Sequence, residues 1–216
     1  LCRYAWMNLY GVGVEQNIEA AMNYYHKAAD RNVSEAQLQY GFLLMVQTMQ
    51  TKESMNYYYL AHKHGNIEAT IRLGHLLEKM DHIEDAIKFY QIGVDYNDSD
   101  AQCYLGEIYE SQKKYSDAFE LYTKSADQLN PLGQYNLALL YENGFYKNKR
   151  EPQLAVKYAK LSANQEHPTG LWYYGYLIET GHDEDFNYEL AAKYYRLSAK
   201  LKDSFGLWHY GVLLEM

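Results

Sequence analysis

A small residue that returns at near-constant spacing restricts this chain more than any other feature. Preceded by Tyr or Leu, it occurs at Ala5, Gly41, Gly74, Gly106, Ala138, Gly175 and Gly211, in steps of 36, 33, 32, 32, 37 and 36. Five positions earlier stand Ala36, Ala69, Ala101, Gly133, Gly170 and Gly206, again all small. Three positions later stand Asn8, Leu44, Leu77, Tyr109, Tyr141, Ile178 and Leu214. In an α-helix these offsets share one face, so each recurrence reads as a helix with a small–small–large stripe. A period of this length is the mark of a repeat architecture, in which one unit cannot bury its apolar face alone.

A second helix repeats in step. Ala21, Ser54, Ala86, Ala118, Ala155 and Ala191 are followed four residues on by Tyr25, Tyr58, Tyr90, Tyr122, Ala159 and Tyr195. Three further on come Ala28, Ala61, Gly93, Ser125, Ser162 and Ser198. Small residues at these places let two backbones approach, and an aromatic fills the space beside them. Each repeat is therefore helix A, turn, helix B, turn. The full helices are expected over 34–46, 51–64, 67–80, 83–96, 99–112, 115–128, 131–143, 152–164, 168–180 and 188–201, with partial ones at the ends. Ser34, Ser99 and Ser204 are expected as N-caps of A helices. Pro131 and Pro168 fall at the same place, where proline suits a helix start. The fold class is all-α: an α-solenoid, a right-handed superhelix of six helix-turn-helix repeats plus a partial seventh. The array is continuous over 1–216, with repeats near 1–32, 33–65, 66–97, 98–129, 130–166, 167–202 and 203–216.

In "GQYNLALLYENG" (133–144) and "LYGVGVEQNIEAAMNYYHKAA" (9–29) the chain resembles the Sel1-like repeat family, a relative of tetratricopeptide repeats. Gly11 and Gly13 match the family's longer A–B turn fully, and Gly144 and Gly181 match it in part. The middle repeats have a shorter turn, as in "QCYLGEIYESQKKYSDAFELY" (102–122), and are similar to tetratricopeptide repeats. The resemblance implies an adaptor or scaffold that binds a partner protein or peptide in its concave face, in signalling or protein quality control. A structural or regulatory arm of a larger enzyme, such as a kinase or a ubiquitin-ligase complex, is the alternative. Disulfide-rich bacterial relatives are linked to β-lactam binding or hydrolysis, but this chain lacks their paired cysteines.

Charge and chemistry narrow the reading. The formal net charge is −8, the wrong sign for neutralising phosphates, so no nucleic-acid partner is expected. Cys2 and Cys103 form no metal or disulfide pattern and point to a reducing compartment, the cytoplasm, with the endoplasmic reticulum lumen as the alternative. No apolar run reaches the ~18 residues of a membrane span. "HLLEKMDH" places His75, Glu78 and His82 near one helical face, a weak metal pattern, and solvated helix residues are the better account. "DYNDSD" (95–100) starts like a calcium loop, but Asp100 stands where glycine is needed and Gly106 where a bidentate Glu is needed. "GVGV" (11–14) lacks a phosphate-binding Lys-Ser/Thr pair, and the two sequons, at Asn32 and Asn97, decide nothing where chance alone provides about one. Cys103, three residues before an anchor in a helix, reads as packing, and no nucleophile–base set can be assembled by spacing. No enzyme activity, cofactor or metal is expected.

Two columns are candidates for binding a protein or peptide partner. Four residues after the small anchors come Glu78, Glu110, Glu142, Glu179 and Glu215, a row of carboxylates suited to a Lys- or Arg-bearing peptide. Around the anchors of the last repeats stand Tyr135, Trp172, Tyr176 and Trp208, aromatic anchors for a peptide pocket. A solvated face and inter-repeat packing are the plainer readings of these columns. Both ends of the chain break within a helix A, as in a piece of a longer protein. Tyr4, Trp6, Trp208 and Tyr210 are therefore expected to be covered by further repeats or by end-to-end self-association.

Overall fold

A computed structural model describes residues 1–145, 147–182 and 187–215. Thirteen α-helices and no strand occur among them. The chain divides into two compact units, Leu1–Tyr96 and Asn97–Met216. The first holds α1 (Cys2–Tyr10), α2 (Ile18–Ala29), α3 (Ser34–Thr48), α4 (Thr51–Lys63), α5 (Ile67–Lys79) and α6 (Ile83–Asp95). The second holds α7 (Ser99–Ser111), α8 (Tyr115–Asp127), α9 (Pro131–Asn143), α10 (Pro152–Asn164), α11 (Pro168–Glu179), α12 (Tyr188–Lys200) and α13 (Ser204–Leu214). Odd helices are A helices and even helices are B helices. Within each unit every helix packs on the next, which is the stacking of an α-solenoid. In the second unit successive A helices also touch, α7 on α9, α9 on α11 and α11 on α13, and so form a shared face.

The anchor residues explain the pairing of A with B. A Cβ added at Gly41, Gly74, Gly106 or Gly175 would lie 2.6 to 3.0 Å from the ring of Tyr58, Tyr90, Tyr122 or Tyr195. Those rings are at most 1% exposed, so each tyrosine lies flat on a backbone stripped of its side chain. Repeat 5 exchanges both partners: Ala138 of α9 replaces the glycine, Ala159 replaces the tyrosine, and both are 0% exposed in one core cluster.

A second lock joins one repeat to the next. A Cβ at Gly133, Gly170 or Gly206 would come within 2.5 Å of the hydroxyl of Ser125, Ser162 or Ser198. Each hydroxyl donates instead to the first residue of the A helix in its own repeat, Ser99, Pro131 or Pro168, at 2.7 to 2.9 Å. A third tie is a buried glutamine in helix A reached from the end of helix B. Gln37 meets His64, Gln102 accepts from Gln128 and Gln134 accepts from Gln165, each at 2.9 Å. Every buried side-chain oxygen in these ties has a partner, as a buried polar group requires.

The helix boundaries follow the expected ones to within two residues. The caps differ. Ser34, Ser99 and Ser204 are the first helical residues, and the capping side chains stand one position earlier where there is one. Asp98 accepts from the N–H groups of Asp100 and Ala101, Asp203 accepts from Gly206, and Val33 contributes no side-chain cap. Asn66 and Asn130 cap α5 and α9 in the same way. The periodicity marks which face is buried, whereas the cap is set by a local turn that the aspartate or asparagine enters first.

Gly106→Ala tests the anchor. Alanine favours helix by ~1 kcal/mol over glycine, yet the overlap with Tyr122 is expected to turn this into a loss of about 1–3 kcal/mol. In Tyr122→Ala the same glycine substitution should become neutral or stabilising, as in repeat 5. Urea denaturation of the four proteins reads this coupling, and additive costs would show that the contact is not what holds A against B.

Candidate functional site

Tyrosine rings on the anchors decide the fate of the glutamate column. A ring lying over the anchor carries its hydroxyl one turn further along helix A, and four residues on is where the glutamate stands. Tyr90 donates to Glu78 at 2.7 Å and Tyr122 donates to Glu110 at 2.8 Å. Tyr195 donates to Glu179 at 2.5 Å. These three carboxylates are half-buried and tie B to A within one repeat. Burial pushes the Glu110 carboxyl above its ordinary value, and the Tyr122 bond partly reverses this. The last member, Glu215, is exposed beyond α13.

Glu142 is different because Ala159 supplies no hydroxyl. Its side chain is 16% exposed. One oxygen, Oε1, lies 3.2 Å from Nε2 of His182. The other, Oε2, is buried and has no hydrogen-bond partner among the described residues. The same is true of the Tyr173 hydroxyl and the Trp172 indole N–H.

The predicted aromatics converge on the A-helix face of the second unit. Trp172, Tyr173 and Tyr176 of α11 and Ser204, Phe205, Trp208 and His209 of α13 line a pocket of about 540 Å³. Trp172 stacks on Phe205 at 4.8 Å, and Trp208 meets the His209 ring edge-on at 4.6 Å. His209 in turn stacks on Tyr195 at 4.7 Å. Trp208 is 63% exposed and Tyr176 36%. Tyr135 is not in the lining: it packs edge-on against Trp172 and Tyr173, with centroids 6.2 and 5.5 Å away. Its phenol is pushed up to about 12, first by burial and then by the charges of Asp203, Glu110 and Glu107. The neighbourhood of Tyr135 is therefore acidic. Tyr173, Phe205, His209 and His182 were not among the sequence candidates. The break at Ala159 in the tyrosine column was the signal that singles out Glu142.

Other sequence candidates fall elsewhere. Among the described residues no group of three or more His, Cys, Asp or Glu side chains converges as a metal site. Of the His75–Glu78–His82 trio, Glu78 is held by Tyr90. Cys103 is 0% exposed, its Sγ 3.0 Å from the Ser125 hydroxyl, and burial pushes the thiol up to about 12. That environment suits packing rather than a thiolate nucleophile. No described helix is long and apolar enough to cross a membrane.

The family model for the Sel1 repeat matches residues 1–33, 99–128, 131–167 and 168–203. The chain belongs to the Sel1 repeat family. The fourth repeat of this Sel1 protein matches the family model despite its short, tetratricopeptide-like turn. Among solved structures, it is similar to c5321, a protective antigen present in uropathogenic Escherichia coli strains. The TM-score is 0.83 at 22% identity, over 99% of this chain and 48% of that one. A Sel1 repeat protein from Oxalobacter formigenes gives a TM-score of 0.82 at 20% identity, over 91% and 83% of the two chains. Yeast Tom70 gives 0.66 at 15% identity, over 98% and 45%. At these identities the likeness shows the fold, and the Sel1 chain described here spans about half the length of the E. coli antigen. Comparison with curated protein sequences gives no match. Sel1 repeat solenoids are typically protein-interaction modules.

Tyr122→Phe tests the tyrosine–glutamate tie. The ionised Glu110 loses its donor, so a cost of about 1–2 kcal/mol is expected near neutral pH. Because burial has already raised the folded-state value, the carboxyl protonates early as pH falls. The protonated form needs the donor less, so the cost should shrink as pH falls through the raised carboxyl value. Urea denaturation across this range checks the sign, and a cost independent of pH would mean that the carboxylate is not the group Tyr122 serves.

Proposed function

We propose that this chain is an adaptor or scaffold that holds a partner protein, through an extended segment, against the face formed by its A helices. The aromatic pocket between α11 and α13 supports this reading most strongly. Its walls are large, rigid and partly exposed, which is the composition of an anchor site rather than of a solvated surface. The partly exposed Glu78, Glu110 and Glu179 and the acidic surroundings of Tyr135 would favour a positively charged segment along the same kind of face. The aromatic residues Trp172, Tyr176 and Trp208 would supply contact area, with Tyr135 packed edge-on against Trp172.

A photo-crosslinking residue placed at Tyr176 should trap a partner from cells expressing the protein. The same residue at Lys193, exposed on α12, should trap none or far less. Capture from both positions alike, or from Lys193 alone, would overturn the assignment to the A-helix face. Trp208→Ala in the Tyr176 protein should reduce the yield several-fold, since anchors of this type contribute about 2 kcal/mol or more.

A further inference from the structure

The proposal here rests on the reading above and asks what chemistry the partner segment carries. Repeat 5 is where a glutamate of this column stands without a tyrosine in step with it. In repeats 3, 4 and 6 the glutamate of helix A is met by the tyrosine of helix B. In repeat 5 the tyrosine is Ala159, buried at 0% exposure, and among the described residues no helix B side chain hydrogen-bonds the second Glu142 oxygen. Glu142 keeps one contact, with His182, a side chain that is charged only when protonated. Its second oxygen is buried without a partner among the described residues. A carboxylate in that position is costly unless a donor, and best a cation, reaches it.

A second, independent group points the same way. Tyr173 is 3% exposed and its hydroxyl also has no partner among the described residues. Burial pushes its phenol far above the ordinary value, and the Glu142 charge is the strongest charge acting on it. Tyr173 also stacks on Tyr176 at 6.1 Å and lines the aromatic pocket. Tyr173 thus feels the Glu142 charge and borders the apolar pocket at the same time. An anionic group would be repelled here, because Tyr135, packed on Tyr173, already feels Asp203, Glu110 and Glu107. A cation would gain the carboxylate, the tyrosine oxygen and the faces of neighbouring aromatic rings.

We propose that repeats 5 and 6 form a receptor for one basic side chain of a partner protein. The Glu142 carboxylate and the Tyr173 hydroxyl take the ammonium of a lysine or the guanidinium of an arginine. A neighbouring apolar residue of the same segment enters the pocket between Trp172 and Trp208. Glu142 thereby differs from Glu78, Glu110 and Glu179, whose tyrosine bonds belong to the fold.

The test uses short acetylated, amidated peptides with one arginine or lysine beside a phenylalanine, and matched peptides with citrulline or norleucine in place of the base. Titration calorimetry and the tryptophan fluorescence of the whole chain read the binding. The basic peptides should bind roughly tenfold more tightly than their neutral matches. A guanidinium site would favour the arginine peptide and an ammonium site the lysine peptide; either supports the proposal. Glu142→Gln should remove the preference while leaving the melting temperature equal or higher, because a buried carboxylate oxygen without a donor is gone. Trp208→Ala should weaken basic and neutral peptides alike. Equal binding of basic and neutral peptides by the unaltered protein overturns the proposal, as does a preference that survives Glu142→Gln, a lower melting temperature of that variant, or no peptide binding. If the Tyr176 crosslinker traps the same partner with and without Glu142→Gln, the cation site falls and the A-helix-face reading stands. If it traps nothing and no peptide binds, both fall.

Discussion

The contact of a tyrosine ring with a side-chain-free backbone carries the rest of this structure. Gly106 under Tyr122 is the tightest instance, with 2.6 Å between the ring and the place a Cβ would take. The contact fixes how far helix B stands from helix A and which turn of one meets which turn of the other. It also decides where the phenol oxygen ends. Lying across the anchor, the ring reaches the residue one turn on, and that residue is a glutamate in repeats 3, 4 and 6. One steric requirement thus sets packing, register and a polar bond. The serine–glycine locks and the glutamine ties add the same logic at the other end of the helices.

An array of this kind is uniform where it is held together, so function is best sought where the uniformity stops. Repeat 5 replaces the Gly–Tyr pair by Ala138 and Ala159, both fully buried in one core cluster. The volume is accommodated, but the hydrogen bond is not. Glu142 is left with a buried oxygen that has no partner among the described residues. Close by in sequence, α11 and α13 bring Trp172, Tyr176 and Trp208 around a single pocket. A broken polar pair and an apolar pocket linked by Tyr173 are a natural combination for recognising a segment that is both basic and apolar.

Membership in the Sel1 repeat family accounts for the helices and their stacking, and structural likeness at about a fifth identity extends that to the fold of the whole chain. Neither names a partner. Sites are built on folds rather than given by them, and in this chain the distinguishing residues are departures from the repeat rather than its consensus.

Most of the fold was legible in the residues. The recurrence of Gly41, Gly74, Gly106 and Gly175, with tyrosines in step, could only be satisfied by paired helices in close contact, and the boundaries of α3 to α12 follow from it. The gathering of Trp172, Tyr176 and Trp208 was legible too, because their offsets from the anchors place them on adjoining A helices. What the sequence could not decide was which polar atoms meet. Ser99 and Asp98 are both able to cap α7, and only the backbone turn selects Asp98. Glu78, Glu110, Glu142 and Glu179 form one column of identical side chains at one offset, yet three are hydrogen-bonded to tyrosines 12 or 16 residues away and one is not. Periodicity specifies a face because burial depends on direction alone. A hydrogen bond depends on distances of a few tenths of an ångström between groups on different helices, and only the packed tertiary structure fixes those.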